Sequence, residues 1–380
     1  MTGTAPFRAA AAVAPRWQDA VHEILADLGE LGREYRLGFV FVTETFAGAL
    51  TEIEALLRQR TGVPHWVGGA GMGVCGLRAE YFDEPAISVL VMPIGSDAFR
   101  LFGGIETGVR DVVEMNADWL AANDPPLAVV HADPANPHIQ DLVSAYAEAT
   151  NAYLVGGMTS TRDDAVQLAG SGYARGLSGV MFSPYALPVA VGLTQGCSPI
   201  GPAHTVTRAD GNVLIELDDA PALNVFEGDI GKDLAADLRR VGGHVFAALP
   251  VTGSDTGDYL VRNLMGVDRE HRLLAIGDVV SAGDKVMFCR RDRTTAIEDL
   301  HRMLGRLRQR AAGGIRGALY YTCVARGPNQ FGPGSREMKI IADELGDIPI
   351  AGLFANGEIN HDRLYGYTGV LTLFLRPGFD

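Results

Sequence analysis

Apolar runs and helical patterns alternate along the whole chain. Residues 37–43 and 319–323 are continuous apolar runs of the kind found in strands that are buried on both faces. Residues 49–60 and 336–345 follow them, with apolar positions at the spacing that is typical of helices. Two strands joined by a helix are parallel neighbours by default, with a right-handed crossover. The pattern therefore predicts an α/β fold (mixed α+β) with mixed sheets.

Three stretches share the order strand, helix, strand ending at a glycine turn, polar loop and strand. We compare them at the reference glycines Gly69, Gly157 and Gly352. Six residues beyond these glycines lie Cys75, Asp163 and Glu358. The order is either an internal repeat or the ordinary alternation of an α/β fold, and the sequence leaves both interpretations open.

The length of the chain favours two domains, because 380 residues exceed one ordinary core. Residues 1–36 carry a helical pattern and are interpreted as an N-terminal helical extension. A turn rich in glycine and proline ends near residue 202 and is taken as the boundary between the halves. We predict domains at residues 37–203 and 204–380, each built from strand–helix–strand–strand units.

The composition is that of a globular protein, with 47% hydrophobic and 21% charged residues. A net charge of −14 and the lack of a basic patch argue against binding to a nucleic-acid backbone. No apolar run reaches the roughly 18 residues that a membrane span needs. Pro15 interrupts the short apolar run that resembles a signal peptide. We therefore expect a cytoplasmic protein with no nucleic-acid or membrane partner.

The sequence predicts neither a cofactor nor a metal ion. Residues 71–76 match Gly-x-Gly-x-x-Gly by letters, but Pro85 stops the long helix that a dinucleotide site needs. The histidines lack the helical spacing of metal ligands. The four cysteines include no Cys-x-x-Cys pair.

Polar residues follow two neighbouring strands near the carboxyl terminus. Cys323 and Arg326 follow the first strand, and Asn356 and Glu358 follow the second. The carboxyl ends of parallel strands border the usual ligand crevice of such sheets. Arg326 can hold a carboxylate and Glu358 an ammonium or hydroxyl group, which suits a zwitterion such as an amino acid. A structural ion pair between Arg326 and Glu358 is the alternative, and it is compatible with binding because such a pair can open for a ligand.

Cys197 and Cys323 each follow an apolar strand, where a nucleophile could be presented. A catalytic cysteine needs a nearby histidine or cation that lowers its pKa. The sequence places no histidine beside either residue, and a small buried cysteine is the commoner case. We therefore predict no catalytic residue, with Cys197 and Cys323 as the candidates if the protein is an enzyme.

Three motifs carry a resemblance to a known family. They are Gly-Cys-Ser-Pro-Ile-Gly at 196–201, Tyr-Thr-Cys-x-x-Arg-Gly at 321–327 and Pro-x-x-Gly-x-Phe-x-x-Gly-Glu at 349–358. On these motifs the chain resembles the FIST family, whose proteins pair a FIST N domain with a FIST C domain. The resemblance implies a sensory module for small ligands, such as amino acids, in bacterial signal transduction.

The ligand-binding residues that we predict are the motif positions Cys197, Ser198, Cys323, Arg326, Gly327, Asn356, Gly357 and Glu358. The hypothesis is a non-enzymatic intracellular protein that binds a small polar metabolite and signals to an unidentified protein partner. One alternative is a cysteine-dependent enzyme, an acyl transferase or a hydrolase. The other is a protein-interaction scaffold, which a eukaryotic relative joined to an F-box suggests.

Overall fold

The computed structural model describes residues 5–124, 126–162, 165–170, 172–251, 257–311 and 314–376. The chain divides into two compact units. The larger unit contains Met1–Gln195 and Ile297–Asp380, and the smaller unit contains Gly196–Ala296. Compact units and sequence domains are different divisions of a chain, so the predicted bounds 37–203 and 204–380 stay a prediction.

The larger unit begins with two segments of similar order. The first segment contains β1 (Arg8–Val13), α1 (Trp17–Leu28), β2 (Tyr35–Thr43), α2 (Leu50–Thr61), β3 (His65–Gly71), β4 (Gly73–Gly76), β5 (Ala79–Phe82) and β6 (Ala86–Pro93). The second contains β7 (Phe99–Ile105), α3 (Arg110–Met115), α4 (Ala117–Ala122), β8 (Leu127–Ala132), α5 (Ile139–Thr150), β9 (Tyr153–Met158), β10 (Gln167–Ala169), β11 (Tyr173–Ala174) and β12 (Leu177–Phe182).

The third segment is interrupted by the smaller unit. It starts with β13 (Val189–Gln195). The smaller unit follows with β14 (Cys197–Pro199), β15 (His204–Asp210), β16 (Val213–Leu217), β17 (Ala220–Pro221), α6 (Ala222–Ile230), α7 (Lys232–Ala235), β18 (Val245–Pro250), β19 (Tyr259–Arg262), β20 (Leu264–Asp268), β21 (Leu273–Ile276) and β22 (Lys285–Arg291). The chain returns through α8 (Arg293–Arg310), β23 (Ile315–Cys323), α9 (Arg336–Leu345), β24 (Ile350–Ala355), β25 (Glu358–His361), β26 (Arg363–Tyr365) and β27 (Thr368–Leu375).

The three sheets of the larger unit have the same arrangement of strands. Their orders are β1-β6-β2-β3-β10-β11, β7-β12-β8-β9-β25-β26 and β13-β27-β23-β24-β4-β5. At the centre of each lies a parallel pair joined by a helix, namely β2 with β3, β8 with β9 and β23 with β24. Antiparallel strands flank each pair, so the sheets are mixed. The predicted mixed α/β fold is confirmed.

Each sheet of the larger unit is completed by a hairpin from another segment. Strands β10 and β11 of the second segment join the first sheet, and β25 and β26 of the third segment join the second sheet. Strands β4 and β5 of the first segment join the third sheet. The three segments therefore interlock in a cycle, while an internal duplication of the sequence stays a prediction.

The register of the parallel pairs shows which glycines correspond. Gly68, Gly156 and Gly352 each lie so close to a backbone carbonyl of the neighbouring strand that a Cβ atom would overlap it. These three glycines therefore occupy equivalent positions. The comparison made from the sequence used Gly69 and Gly157. Each of these lies one residue after the glycine that is equivalent to Gly352.

The corrected register changes the counterpart of Glu358. Glu358 pairs with Gly157, the residue after Gly156. Gln167 pairs with Gly69, the residue after Gly68, so these two pairings are equivalent. Cys75 pairs instead with Gly352. Glu358 thus corresponds to Gln167 rather than to Cys75, and Asp163 lies outside the described residues.

The central strands of the three sheets meet at a cluster of three rings. Phe41 of β2, His131 of β8 and Tyr321 of β23 lie 5.6–5.8 Å apart, measured between ring centroids. The Nε2 atom of His131 and the hydroxyl of Tyr321 are 2.8 Å apart. Burial lowers the pKa of His131 to about 3, so this imidazole is neutral at physiological pH. Phe41 and Tyr321 belong to one apolar core with side chains from all three sheets.

Residues 1–36 differ from the predicted helical extension. Helix α1 is present, but β1 precedes it and pairs with β6 antiparallel in the first sheet. The small alanine side chains of β1 allow α1 to pack closely against this strand. The apolar run that resembles a signal peptide is therefore an edge strand of the fold.

The smaller unit is built around one sheet with the order β19-β18-β22-β15-β16-β21-β20, to which β14 and β17 attach. Its core contains Leu214, Phe226 and Phe288 from β16, α6 and β22. Strands β15 and β16 form an antiparallel hairpin that turns at residues 211–212. Across the ranges that the structure describes, none of the helices has the length and apolarity needed to cross a membrane.

Candidate functional site

A fully buried guanidinium group lies just after the carboxyl end of β23. Arg326 has a relative exposure of 0%. Its Nε and Nη2 atoms donate to Oε1 of Glu337, at 2.9 and 2.5 Å. The sequence suggested Glu358 as the ion-pair partner of Arg326, but the partner is Glu337 in the first turn of α9. A carboxylate at this end of a helix is favoured by the helix dipole.

The carboxylate of Glu337 accepts hydrogen bonds from both strand and turn. The hydroxyls of Tyr320 and Thr322 donate to it at 2.6 and 3.3 Å, and the backbone N–H of Gly327 donates at 3.1 Å. With the two bonds from Arg326, both oxygens of Glu337 are fully engaged. A buried ion pair needs such additional hydrogen bonds to offset its desolvation.

One nitrogen of Arg326 remains open. Its Nη1 atom is buried and has no hydrogen-bond partner within the described residues. The guanidinium lies over the ring of Phe331, 5.0 Å from the centroid. A buried N–H group without an acceptor costs about 1–3 kcal/mol. This donor is therefore available to an incoming acceptor atom.

Glu358 carries a matching open acceptor. Its Oε2 atom accepts from the backbone N–H and the hydroxyl of Thr368, at 3.1 and 2.6 Å. Its Oε1 atom is buried and has no N–H or O–H partner in the part of the chain that the structure describes. Burial raises the pKa of Glu358 to about 8, although Thr368, Arg326 and Cys323 favour the ionised form. Arg326 and Glu358 are thus close enough to influence each other's charge.

Cys323 lies beside Glu358 and is nearly inaccessible. Burial and the neighbouring Glu358 carboxylate raise the pKa of the Cys323 thiol well above its ordinary value. A nucleophilic cysteine needs the opposite shift. The arrangement suits a weak S–H donor that lines a site rather than an attacking group.

A third carboxyl group reaches this region from the first segment. Glu80 of β5 accepts a hydrogen bond from the backbone N–H of Met338 at 3.1 Å, at the start of α9. Burial and the nearby Glu337 carboxylate raise the pKa of Glu80 to about 7. Gly327, with φ of +50°, has no room for a side chain, because a Cβ atom would lie 2.5 Å from the ring of Phe354 and 3.1 Å from Oε2 of Glu80.

The structure brings together four of the eight predicted ligand-binding residues, namely Cys323, Arg326, Gly327 and Glu358. Gly357 precedes Glu358 with φ of +125°, in a conformation that favours glycine. Asn356 is exposed, and its backbone N–H donates to the carbonyl of Met158. Cys197 and Ser198 belong to the other compact unit, where Cys197 is buried and Ser198 is half-buried.

Sequence reasoning missed Glu337, Glu80 and Thr368. Glu337 had a usable signal, since it lies in the first turn of a helix that follows a strand with alternating polar residues. Glu80 had none, because its contact with α9 spans 258 residues of sequence. Within the described ranges, no group of three or more His, Cys, Asp or Glu side chains is placed to hold a metal ion.

Two surface crevices of the protein are lined by residues other than those of this cluster. One of about 700 Å³ in the larger unit is lined by Val109, Val113, Leu142 and neighbouring residues. The other, of about 350 Å³, is in the smaller unit between Leu249 and Lys285. Neither contains Arg326 or Glu358, so a ligand of the buried cluster would have to displace part of its cover.

Two domain models of one family match most of the chain. The model of the FIST N domain matches residues 36–220, and the model of the FIST C domain matches residues 222–361. The uncharacterized protein Rv0628c of Mycobacterium tuberculosis is 33% identical over 331 residues, which cover 81% of this chain and 83% of that protein. The uncharacterized protein Mb0898c of Mycobacterium bovis is 29% identical over 352 residues, which cover 85% and 86%.

A solved structure, "Structure of PurLQS from Thermotoga maritima", covers 98% of this chain and 74% of its own with a TM-score of 0.23 and 12% identity. This similarity is too low to support an argument about fold or function.

Proposed function

The chain belongs to the FIST family, whose domains are associated with sensory function in signal transduction, and from this premise we propose that it senses a small polar metabolite without chemical conversion. The ligand binds in the buried cluster of Arg326, Glu358 and Cys323. The observation that carries the proposal is a pair of open atoms. Among the described residues, Nη1 of Arg326 has no hydrogen-bond acceptor, and Oε1 of Glu358 has no N–H or O–H donor.

The charges of the cluster point to a ligand with both an acceptor and a cationic donor. Three carboxyl groups, from Glu80, Glu337 and Glu358, surround one guanidinium group. An ammonium group bound at Glu358 would favour the ionised form of this carboxyl group and would compensate the negative charge that its ionisation adds. A carboxylate oxygen of the same ligand would accept one hydrogen bond from Arg326. A small amino acid has both groups, and its bond to Arg326 is single because Glu337 holds the other two nitrogens.

A cysteine-dependent reaction is less well supported. Cys323 is buried with a raised pKa, and its charged neighbours are a carboxyl group and an arginine already paired with Glu337. Cys197 lies in the other unit and is buried as well. Neither thiol has the exposed, electropositive surroundings that make a cysteine a fast catalytic nucleophile. Signalling to a protein partner and a cytoplasmic location remain parts of the proposal that follow from the family.

A thermal-shift screen of amino acids, small carboxylates and small amines tests the proposal. A ligand present at 100 times its dissociation constant adds about 2.7 kcal/mol to the free energy of unfolding. We expect at least one zwitterion to stabilise the protein, and Glu358→Gln to remove that effect. Glu54→Gln is the matched control, because Glu54 is a buried carboxylate of the same unit that pairs with Arg58.

Two outcomes of this screen contradict the proposal. The first is that no compound of the three classes stabilises the protein. The second is that Glu54→Gln removes the stabilisation by the ligand as fully as Glu358→Gln does. Such a result would show that the loss follows from a less stable protein and not from a damaged binding site.

A further inference from the structure

The smaller unit contains two cysteines on neighbouring strands. Strand β14 pairs with β22 antiparallel, with Cys197 opposite Arg291 and Pro199 opposite Cys289. Residues two apart on a strand project to the same face. Cys197 and Cys289 are therefore diagonal neighbours on one face of the sheet, and the neighbouring Cys197 together with burial raises the pKa of the Cys289 thiol. Both are free and buried.

The other two cysteines have different surroundings. Cys75 lies near the carboxyl groups of Glu80 and Glu337, and Cys323 lies near Glu358. Both are free and buried in the larger unit. All four thiols thus share deep burial, but their diagonal position on one face of a sheet distinguishes Cys197 and Cys289. In the described residues, no third ligand completes a metal site around them.

We propose that Cys197 and Cys289 are a redox pair that hydrogen peroxide oxidises to a reversible disulfide. One thiolate sulfur attacks the O–O bond, which forms a sulfenic acid and releases water after proton transfer. The second thiol then attacks the sulfenic sulfur, forms the S–S bond and releases a second water. The two thiols lose two electrons in total, and the peroxide gains them.

Closing the bond requires the sulfurs to move to covalent distance, about 2.05 Å. Strand β14 is the side suited to move. It has three residues, it follows Gly196, and Pro199 has no N–H to donate to β22. The hydroxyl of Tyr259 donates to the carbonyl of Cys197 at 2.6 Å and holds this short strand in place.

Burial determines which oxidant fits. Peroxide is nearly as small as water and can enter through brief openings of β14, whereas a bulky disulfide compound needs wider opening. Burial also makes the reaction slower than that of exposed thiols. The disulfide joins residues 92 positions apart and should raise the melting temperature of the protein, since it restricts the unfolded chain. This proposal is independent of ligand binding at Arg326.

The test exposes the full-length protein to increasing hydrogen peroxide, followed by alkylation of free thiols and peptide mapping without reductant. We expect a cross-linked peptide with Cys197 and Cys289, a mass loss of about 2 Da and recovery of both thiols with dithiothreitol. Cys75 and Cys323 should remain alkylated as free thiols. Tyr259→Phe should speed the cross-linking, because it releases β14.

Variants make the outcome decisive. Cys75→Ser should form the cross-link as the unmodified protein does, and Cys289→Ser should form none. The proposal is overturned if Cys75 and Cys323 are oxidised before any cross-link appears, or if Cys197 ends as a sulfinic or sulfonic acid without a cross-link. Should Cys289→Ser fail to fold, the mapping of the unmodified protein alone decides between these results.

Discussion

At the scale of single residues, Glu337 engages the two nitrogens of Arg326 that would otherwise hold a ligand carboxylate in a bidentate way. The sequence predicted that Arg326 and Glu358 face one place. Burial raises the pKa of Glu358, and the charge of Arg326 opposes this rise because it favours the ionised carboxylate. The role of Glu337 was not predicted, because a residue in the first turn of a helix is solvent-exposed by default and the alternating polar residues of β23 were the one signal of its burial. A strand and a turn donate five hydrogen bonds to the buried Glu337 carboxylate.

Replacing Arg326 tests the strength of this ion pair. Removing one partner of a buried pair leaves an uncompensated charge, so Arg326→Ala should lower the free energy of unfolding by about 3–5 kcal/mol. Arg110→Ala is the control, because Arg110 pairs with Glu114 at 2.6 Å with 86% and 61% of the two side chains exposed. The control should cost less than about 1 kcal/mol. Equal losses of the free energy of unfolding, measured with urea, would show that burial of Arg326 adds nothing to the strength of its ion pair.

The raised pKa of Glu358 predicts how stability depends on pH. Its pKa rises from the ordinary 4.5 to about 8 on folding, so the folded state retains a proton that the unfolded state loses. Stability should therefore fall as the pH rises from 4.5 to about 8, by on the order of 1 kcal/mol per pH unit. Glu80, with a pKa raised to about 7, acts in the same direction.

Urea unfolding between pH 5 and pH 8 measures this dependence. Glu358→Gln should flatten the slope, since the amide does not titrate, while Glu54→Gln should leave it unchanged. A slope that is the same in the unmodified protein and in Glu358→Gln would contradict the assigned pKa.

At the scale of elements, local pattern predicted the strands and helices that bury apolar side chains. Helices α2 and α9 and the parallel pairing of β23 with β24 are confirmed. The exchange of hairpins among the sheets was not predicted, because short strands such as β4 and β25 pair with partners in distant segments. This exchange is what brings Glu80 and Glu358 to their positions.

The close approach of the parallel strands gives a prediction for Gly352. A Cβ atom at this position would overlap the carbonyl oxygen of Tyr320. Gly352→Ala should therefore separate β23 from β24 and cost at least about 1–3 kcal/mol of stability. Gly48→Ala is the matched control, because a Cβ atom there meets no heavy atom within 4 Å. Thermal unfolding of the two variants should differ clearly, and similar melting temperatures would contradict the register.

At the scale of the whole molecule, the smaller compact unit interrupts the larger one along the chain, and the predicted domain bounds 37–203 and 204–380 stay a prediction. Contacts between β13 and β27 cause this arrangement, since they connect residues on either side of the insertion. The predicted site was divided in consequence. Its half at Arg326 and Glu358 lies in the larger unit, and Cys197 and Ser198 lie in the smaller one.

The central claim is that a ligand cation binds to the ionised carboxylate of Glu358. Calorimetric titration of a stabilising zwitterion, in two buffers with different ionisation enthalpies, tests it most directly. Because Glu358 has a pKa of about 8, binding at pH 7 should release close to one proton, and affinity should rise up to about tenfold per pH unit below pH 8. Binding without proton release, with an affinity that does not change between pH 6 and pH 8, would contradict the account.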